Sequence, residues 1–274
     1  MATFVLDFRS ADQGGAVVPG KLTLASPTID ELQRCRDVVF LTHGFNVDRP
    51  SGSAELQAFA ALLPAVAQTA AVAVLWPGDS WAGPLSYPFE TNKADDTAIE
   101  LAKFIGDNLP LQPRLSFVAH SLGCRVAMET VRQLYIMGAQ VPQVCLMAGA
   151  IDNDSLAAIA AYRAAVQYAG RIAVLYSPSD TVLKAAYPAG NVLSAFLNWT
   201  PTTNAALGYA GPRAAPAPNG DIPNTVTATG IPAAAGVNHG DYLPNVAGPP
   251  NNMQLSAAKY ANAVLAGSPQ LVYV

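Results

Sequence analysis

Residues Ala119-His120-Ser121-Leu122-Gly123 constrain this chain more than any other stretch: a serine has a very small side chain two places before it and two places after it. An apolar run, Leu115 to Ala119, leads into the serine, and apolar residues at helical spacing follow from Cys124. That order predicts a strand turning sharply into a helix, with the serine hydroxyl thrust clear of the sheet at the corner. The flanking positions must be small, because so tight a corner brings them against neighbouring backbone. The pattern is A-x-S-x-G, one methyl away from the G-x-S-x-G nucleophile elbow.

Strand and helix signals alternate around this corner. Val38 to Leu41 reads as a strand ending at Thr42-His43-Gly44, and Leu56, Phe59, Ala60, Leu63 and Val66 follow at helical spacing behind Ser51 and Ser53 as caps. Ala71 to Trp76 is the next strand, closed by Pro77-Gly78, and Ala98, Leu101, Ala102, Ile105 and Leu109 make one helix face. After the corner, Cys124, Ala127, Met128, Val131 and Leu134 make another helix face, ended by Gly138. Val144 to Met147 and Ile172 to Tyr176 read as further strands, separated by an alanine-rich helix ending at Gly170. The fold class is therefore α/β, a mostly parallel central sheet with helices on both faces. In such sheets ligands bind at the carboxyl ends of the strands, where Gly44, Ser121 and Asp180 all fall.

The remaining segments fit around that sheet. Thr3 to Phe8 and Lys21 to Leu24, within residues 1–35, are expected to pair antiparallel at one edge. Pro188 to Val237 holds only two charged residues, Arg213 and Asp221, and reads as a loop-rich pocket wall or lid. Within it, Val192 to Trp199 is expected as a short helix and Val226 to Thr229 as a last strand. Asn251 to Leu265 reads as a closing helix and Leu271 to Val274 as an extended tail. No repeat or linker divides the chain, so residues 1–274 are expected to form one domain.

Composition narrows the function. The net charge is -4, with no cluster of lysine or arginine, which argues against nucleic acid or an anionic membrane as partner. The richest apolar window, Ala65 to Trp76, is interrupted by Gln68 and Thr69 and is too short to cross a bilayer. Asp7 and Arg9 stand where a signal peptide needs apolar residues, so the expected location is cytoplasmic. The three cysteines lack metal-ligand or C-x-x-C spacing and read as buried thiols in a reducing compartment.

A serine hydroxyl needs a base to take its proton, and the usual base is histidine. This chain has three. His43 reads as a scaffold residue of the loop after its strand, and His120, directly before the serine, is expected to point away from the hydroxyl. By elimination the base is His239, in the polar loop Val237-Asn238-His239-Gly240-Asp241-Tyr242. The carboxylate that fixes its tautomer is expected from Asp180, just past a strand end, with Asp152, Asp154 and Asp241 as competitors. Asp154 also reads as a first-turn or capping residue of a helix starting near Ser155. Backbone N–H groups of Leu122 and Phe45 are the expected oxyanion donors, with Asn46 either a side-chain donor or a turn residue. Activity is expected to rise with pH through the titration range of histidine.

The segments FLTHGFN (Phe40 to Asn46), VLWPG (Val74 to Gly78), AHSLGCRV (Ala119 to Val126), YSPSDTVL (Tyr176 to Leu183), ALGYAG (Ala206 to Gly211) and the His239 loop together resemble the α/β-hydrolase superfamily. Within it, the chain is similar to the group of α/β hydrolases of unknown function, over roughly Asp37 to Asn245. The departure is Ala119 in place of the first glycine, which some lipase-like members share. The resemblance implies a carboxylic ester hydrolase working on a small-molecule ester through an acyl-serine, with no metal and no organic cofactor. Phe45, Trp81, Leu85, Tyr87, Phe196, Trp199, Leu207 and Tyr209 are expected around the cleft, favouring a short-to-medium acyl chain. Thioesterase, amidase or acyltransferase chemistry would use the same machinery, and a non-catalytic binding protein on this fold is the alternative from another class.

Overall fold

Near-continuous apolar runs form the strands because a strand covered on both faces buries every side chain. In β3 (Asp37–Thr42), Val38 and Phe40 enter one core, whereas Val39 and Leu41 enter a second on the opposite face. β4 (Thr69–Leu75), β5 (Arg114–His120), β6 (Gln143–Met147) and β7 (Ile172–Tyr176) divide their residues between the cores in the same alternation. The computed structural model describes residues 1–23, 26–79, 87–109, 113–185, 187, 204–244 and 248–274, with backbone alone at 87–89.

With β1 (Ala2–Arg9), β2 (Val17–Leu22) and β8 (Val226–Gly230), these strands make an eight-stranded sheet in the order β2-β1-β4-β3-β5-β6-β7-β8. Only the β1–β2 pair is antiparallel. The chain moves from β3 outward to β4, then returns across β3 to begin β5. The loops leaving β3 and β5 therefore diverge from neighbouring strand ends, and such a reversal opens a crevice at the carboxyl edge. Thr42 lies level with Ala119 in the pairing, so the loop starting at His43 and the corner at Ser121 begin side by side.

Helices α3 (Tyr87–Asn108), α4 (Gly123–Met137) and α5 (Arg163–Tyr168) cover one face. The opposite face is covered by α2 (Arg49–Leu62) and the closing helix Asn252–Leu265. A short α1 (Ile29–Gln33), absent from the sequence reading, carries a Thr28–Glu31 capping box. Among the described residues, no helix is long and apolar enough to cross a membrane.

Several local expectations are corrected. The cap of α2 is Asp48 rather than Ser51 or Ser53: its carboxylate accepts the Ser51 N–H at 2.8 Å, and a proline in the first turn fixes the earlier start. Val66 falls beyond that helix and is 49% exposed. The alanine-rich helix before β7 is confined to the six residues of α5. Upstream of it, the backbone bonds elsewhere: Asn153 N–H donates to Ala205 O and Ala158 N–H to Asp221 O. Those long-range partners replace the helical ladder that alanine content alone would favour. No helix starts at Ser155, so Asp154 caps nothing; it accepts from Asn204 Nδ2 at 2.8 Å and faces Arg213. The antiparallel pair expected at one edge is present as β2 and β1, but its outer strand runs Val17–Leu22 rather than Lys21 to Leu24, and β1 also pairs parallel with β4. Cys35 is half-buried rather than enclosed, unlike Cys124 and Cys145. The expected helix Val192 to Trp199 lies outside the described residues.

Candidate active site

Ser121 sits at the corner between β5 and α4 with φ of 55°, a left-handed backbone that costs a non-glycine residue about 1–3 kcal/mol. Its backbone is pinned from both sides, its N–H donating to Met147 O at 3.0 Å and its carbonyl accepting from Ala150 N–H at 3.0 Å. A Cβ on Gly123 would lie 2.4 Å from His43 O, which accounts for the glycine after the serine. Thr42 Oγ1 donates to Gly123 O at 3.0 Å and fastens the start of α4 to the end of β3. The extra methyl of Ala119 is absorbed in the core beneath the corner.

The residues that meet Ser121 come from far along the chain. His239 Nε2 and Ser121 Oγ are 2.8 Å apart, and His239 Nδ1 and Asp180 Oδ2 are 2.8 Å apart. A carboxylate only accepts, so the imidazole proton belongs on Nδ1, leaving the Nε2 lone pair to receive the serine O–H. Asp180 is fully buried and also caps the short helix at 181–185, its Oδ1 accepting the Leu183 N–H at 2.9 Å. Each carboxylate oxygen thus has a fixed task. The histidine loop is tied to the same turn: Ser177 Oγ donates to Val237 O at 2.6 Å, and Thr181 N–H donates to Asn238 Oδ1 at 3.1 Å.

The loop after β3 supplies the other wall. A Cβ on Gly44 would stand 2.9 Å from Ser121 Cβ and 3.3 Å from its Oγ, so only glycine lets this backbone pass the hydroxyl. Leu122 N–H, directly beyond the serine, has no acceptor among the described residues. Phe45 follows Gly44 and is half-buried against the second core. Asn46 adopts φ of 59° and donates its N–H to Gly78 O at 2.7 Å, the turn role rather than a side-chain donor. His43 is fully buried and stacked on Trp76; its Nδ1–H donates to Gly44 O at 2.9 Å, and its Nε2 accepts from Trp76 N–H at 3.3 Å. It is scaffold, as its place in the sequence suggests.

Arg9 was visible in the sequence only as a residue that spoils a signal peptide. It is buried, and all five of its N–H donors are used: on Ala11 O, Asp12 O, Val47 O, Trp76 O and the Asp79 carboxylate. It therefore clamps the β3 loop to the ends of β1 and β4. No local pattern announces such a role, because every partner except Ala11 and Asp12 is distant in sequence.

The competing acids are engaged elsewhere. Asp152 accepts from Tyr187 Oη at 2.8 Å, and Asp241 accepts the Asn238 N–H at 2.8 Å. Among the expected cleft residues, Tyr209 is half-buried against the second core. Leu207 is fully buried in the first core, which corrects its assignment to a cleft wall. Trp81, Leu85, Phe196 and Trp199, and the side chain of Tyr87, lie outside the described residues.

His120 turns away from the serine hydroxyl, as expected, but not into idle packing. Its Nε2 lies 2.9 Å from the carbonyl oxygen of His239, and its ring is 5.0 Å from the His239 ring and 5.7 Å from Tyr242. Burial, reinforced by the charge of His239, pushes its pKa down to about 3, and burial pushes His43 down to about 4. An unfolded chain would protonate both near the ordinary histidine value of about 6.5. Their contribution to stability is therefore complete above that pH and is lost as pH falls towards the folded-state values. Unfolding is expected to become easier by about 1.4 kcal/mol per pH unit for His43 alone between pH ~6.5 and ~4. Urea midpoints that stay level over that range would contradict a buried, neutral His43.

Residues 26–194 match the family model described as "Alpha/beta hydrolase of unknown function (DUF900)". No curated protein matches the chain. Among solved structures, the NocB thioesterase domain from the nocardicin cluster is similar at 13% identity and a TM-score of 0.45, over 86% of this chain and 97% of that one. Esterase PE8 is similar at 14% identity and 0.43, over 85% and 93%. A Pyrobaculum calidifontis esterase is similar at 14% identity and 0.43, over 86% and 78%. Likeness at this level says nothing of substrate.

Proposed function

This chain belongs to the family of α/β hydrolases of unknown function (DUF900), and from that membership we propose that it is a serine hydrolase cleaving carboxylic esters of short-to-medium acyl chain. The observation that carries the reading is the unbroken relay Ser121 Oγ, His239 Nε2, His239 Nδ1, Asp180 Oδ2, with 2.8 Å at each hydrogen bond. In this reading the residues 1–274 work as one catalytic domain.

The chemistry follows from the proton positions. Ser121 Oγ attacks the ester carbonyl carbon while its proton passes to His239 Nε2. The imidazolium so formed is balanced by the buried Asp180 carboxylate. Charge developing on the carbonyl oxygen is met by the N–H groups of Leu122 and Phe45. As the tetrahedral species collapses, the C–O bond to the alcohol breaks and Nε2 returns its proton to the leaving oxygen. Water then attacks the acyl-serine, giving its proton to the same nitrogen, and the acid is released with Ser121 restored. Phe45, half-buried beside the Gly44 that passes the Ser121 hydroxyl, supports an uncharged acyl group.

A series of p-nitrophenyl esters from acetate to palmitate, run beside the matching thioesters and anilides, tests this assignment. The expected result is turnover greatest for esters at the short-to-medium end. Preference for a thioester or an anilide would move the reaction class while keeping the same residues at work.

A further inference from the structure

We infer that His120 is a positioning residue for the catalytic base, fixing the height of the His239 imidazole over Ser121 through a hydrogen bond to the His239 backbone carbonyl. This rests on the serine-hydrolase reading above. The argument begins with connectivity. His239 sits in a single 3-10 turn, His239–Asp241, and its neighbours Val237 and Asn238 are anchored to the acid turn by Ser177 and Thr181. Those bonds hold the base to Asp180 but do not set its distance from the nucleophile.

His120 supplies that link. Its Nε2 is 2.9 Å from His239 O, while the adjacent Ser121 Oγ is 2.8 Å from His239 Nε2. Two neighbouring residues of the corner therefore grip one residue of the loop at both ends, closing a short ring of covalent and hydrogen bonds. A carbonyl oxygen only accepts, so the His120 proton must lie on Nε2. Because its ring stays neutral down to about pH 3, that tautomer persists while His239 gains and loses a proton. A second cationic imidazole 5.0 Å away would otherwise oppose the charge that His239 must carry. His120 touches neither nucleophile nor substrate in this account, and acts only through His239.

The amide pair asparagine and glutamine separates this role from packing. A glutamine amide nitrogen falls near the place of an imidazole Nε2, whereas the asparagine amide stops near Nδ1, short of His239 O. His120→Gln is expected to keep kcat for a p-nitrophenyl ester within about threefold of the parent, and His120→Asn to lower it about tenfold or more with KM nearly unchanged, because small misplacement of a base is costly in rate. Equal activity of parent, Gln and Asn variants would overturn the proposal, as would equal loss in Gln and Asn with both folded. A second readout is the low-field proton resonance of His239 Nδ1–H, expected in the parent and the Gln variant and shifted or broadened in Asn. If the parent hydrolyses no ester, thioester or anilide, the serine-hydrolase reading fails on its own. The resonance still decides His120, since an unchanged signal in the Asn variant refutes the positioning role.

Discussion

Replacing Ser121 by alanine is expected to lower kcat for ester hydrolysis by about 10⁶-fold while the chain stays folded. Alanine keeps the Cβ that the corner already tolerates and removes only the oxygen that attacks. The backbone bonds of residue 121 to Met147, Ala150 and Cys124 survive the change. The remaining catalysis comes from the N–H groups of the oxyanion site and from binding. Ser121→Gly adds a second, opposite signature. With φ of 55° the position is strained for any residue with a Cβ, so glycine should be as inactive as alanine yet more stable than serine by about 1 kcal/mol. Measured kcat together with urea midpoints reads both. An active alanine variant would remove Ser121 from the reaction, and a destabilised glycine variant would remove the strain argument.

Asp180→Asn is expected to cost about 10⁴ in kcat, and the reason is specific to the way this carboxylate is held. Oδ1 accepts the Leu183 N–H, and Oδ2 faces His239 Nδ1. An asparagine must keep its oxygen on Leu183, which turns its NH₂ group towards His239. Nδ1 is then forced to accept, the imidazole proton moves to Nε2, and the nitrogen facing Ser121 is a donor instead of a base. Fold and capping should survive, because the helix at 181–185 retains its acceptor. Asp152→Asn is the control: its partner is Tyr187 Oη, and little change in rate is expected. The opposite ranking of the two variants would place the acid on the loop after β6.

Much of the site could be read from the sequence because its chemistry is written in short, sterically forced patterns. The corner at Ser121 needs Gly123, and the passing loop needs Gly44, since in each case a Cβ would meet other atoms at 2.9 Å or less. Asp180 and His239 sit in strand-end loops rich in polar residues, and elimination among three histidines points to His239, the one whose ring reaches Ser121 Oγ. The alternation of strands and helices was equally plain, because each parallel strand is buried on both faces and reads as an apolar run.

Most of what escaped the sequence follows from long-range hydrogen bonds, with the start of α2 as the local exception. The start of α2 depends on Asp48 and a proline, a local signal that was present but outweighed by the serines further on. The shortening of α5 follows from backbone groups near Asn153 and Ala158 bonding to Ala205 and Asp221, which no window of sequence can reveal. Arg9 finds most of its acceptors between 38 and 70 residues away. The place of His120 before the serine predicts only that it points away from the hydroxyl, yet the atom it does reach belongs to His239, 119 residues on.

The central claim, a hydroxyl activated by an imidazole brought to it by the fold, is tested most directly by exposing the native protein to a fluorophosphonate and mapping the modified peptide by mass spectrometry. One phosphonyl group per chain, located on Ser121 and greatly slowed in Asp180→Asn, is the predicted result. A native, folded protein that takes up no reagent, or takes it up at another residue with Ser121 untouched, would contradict the account.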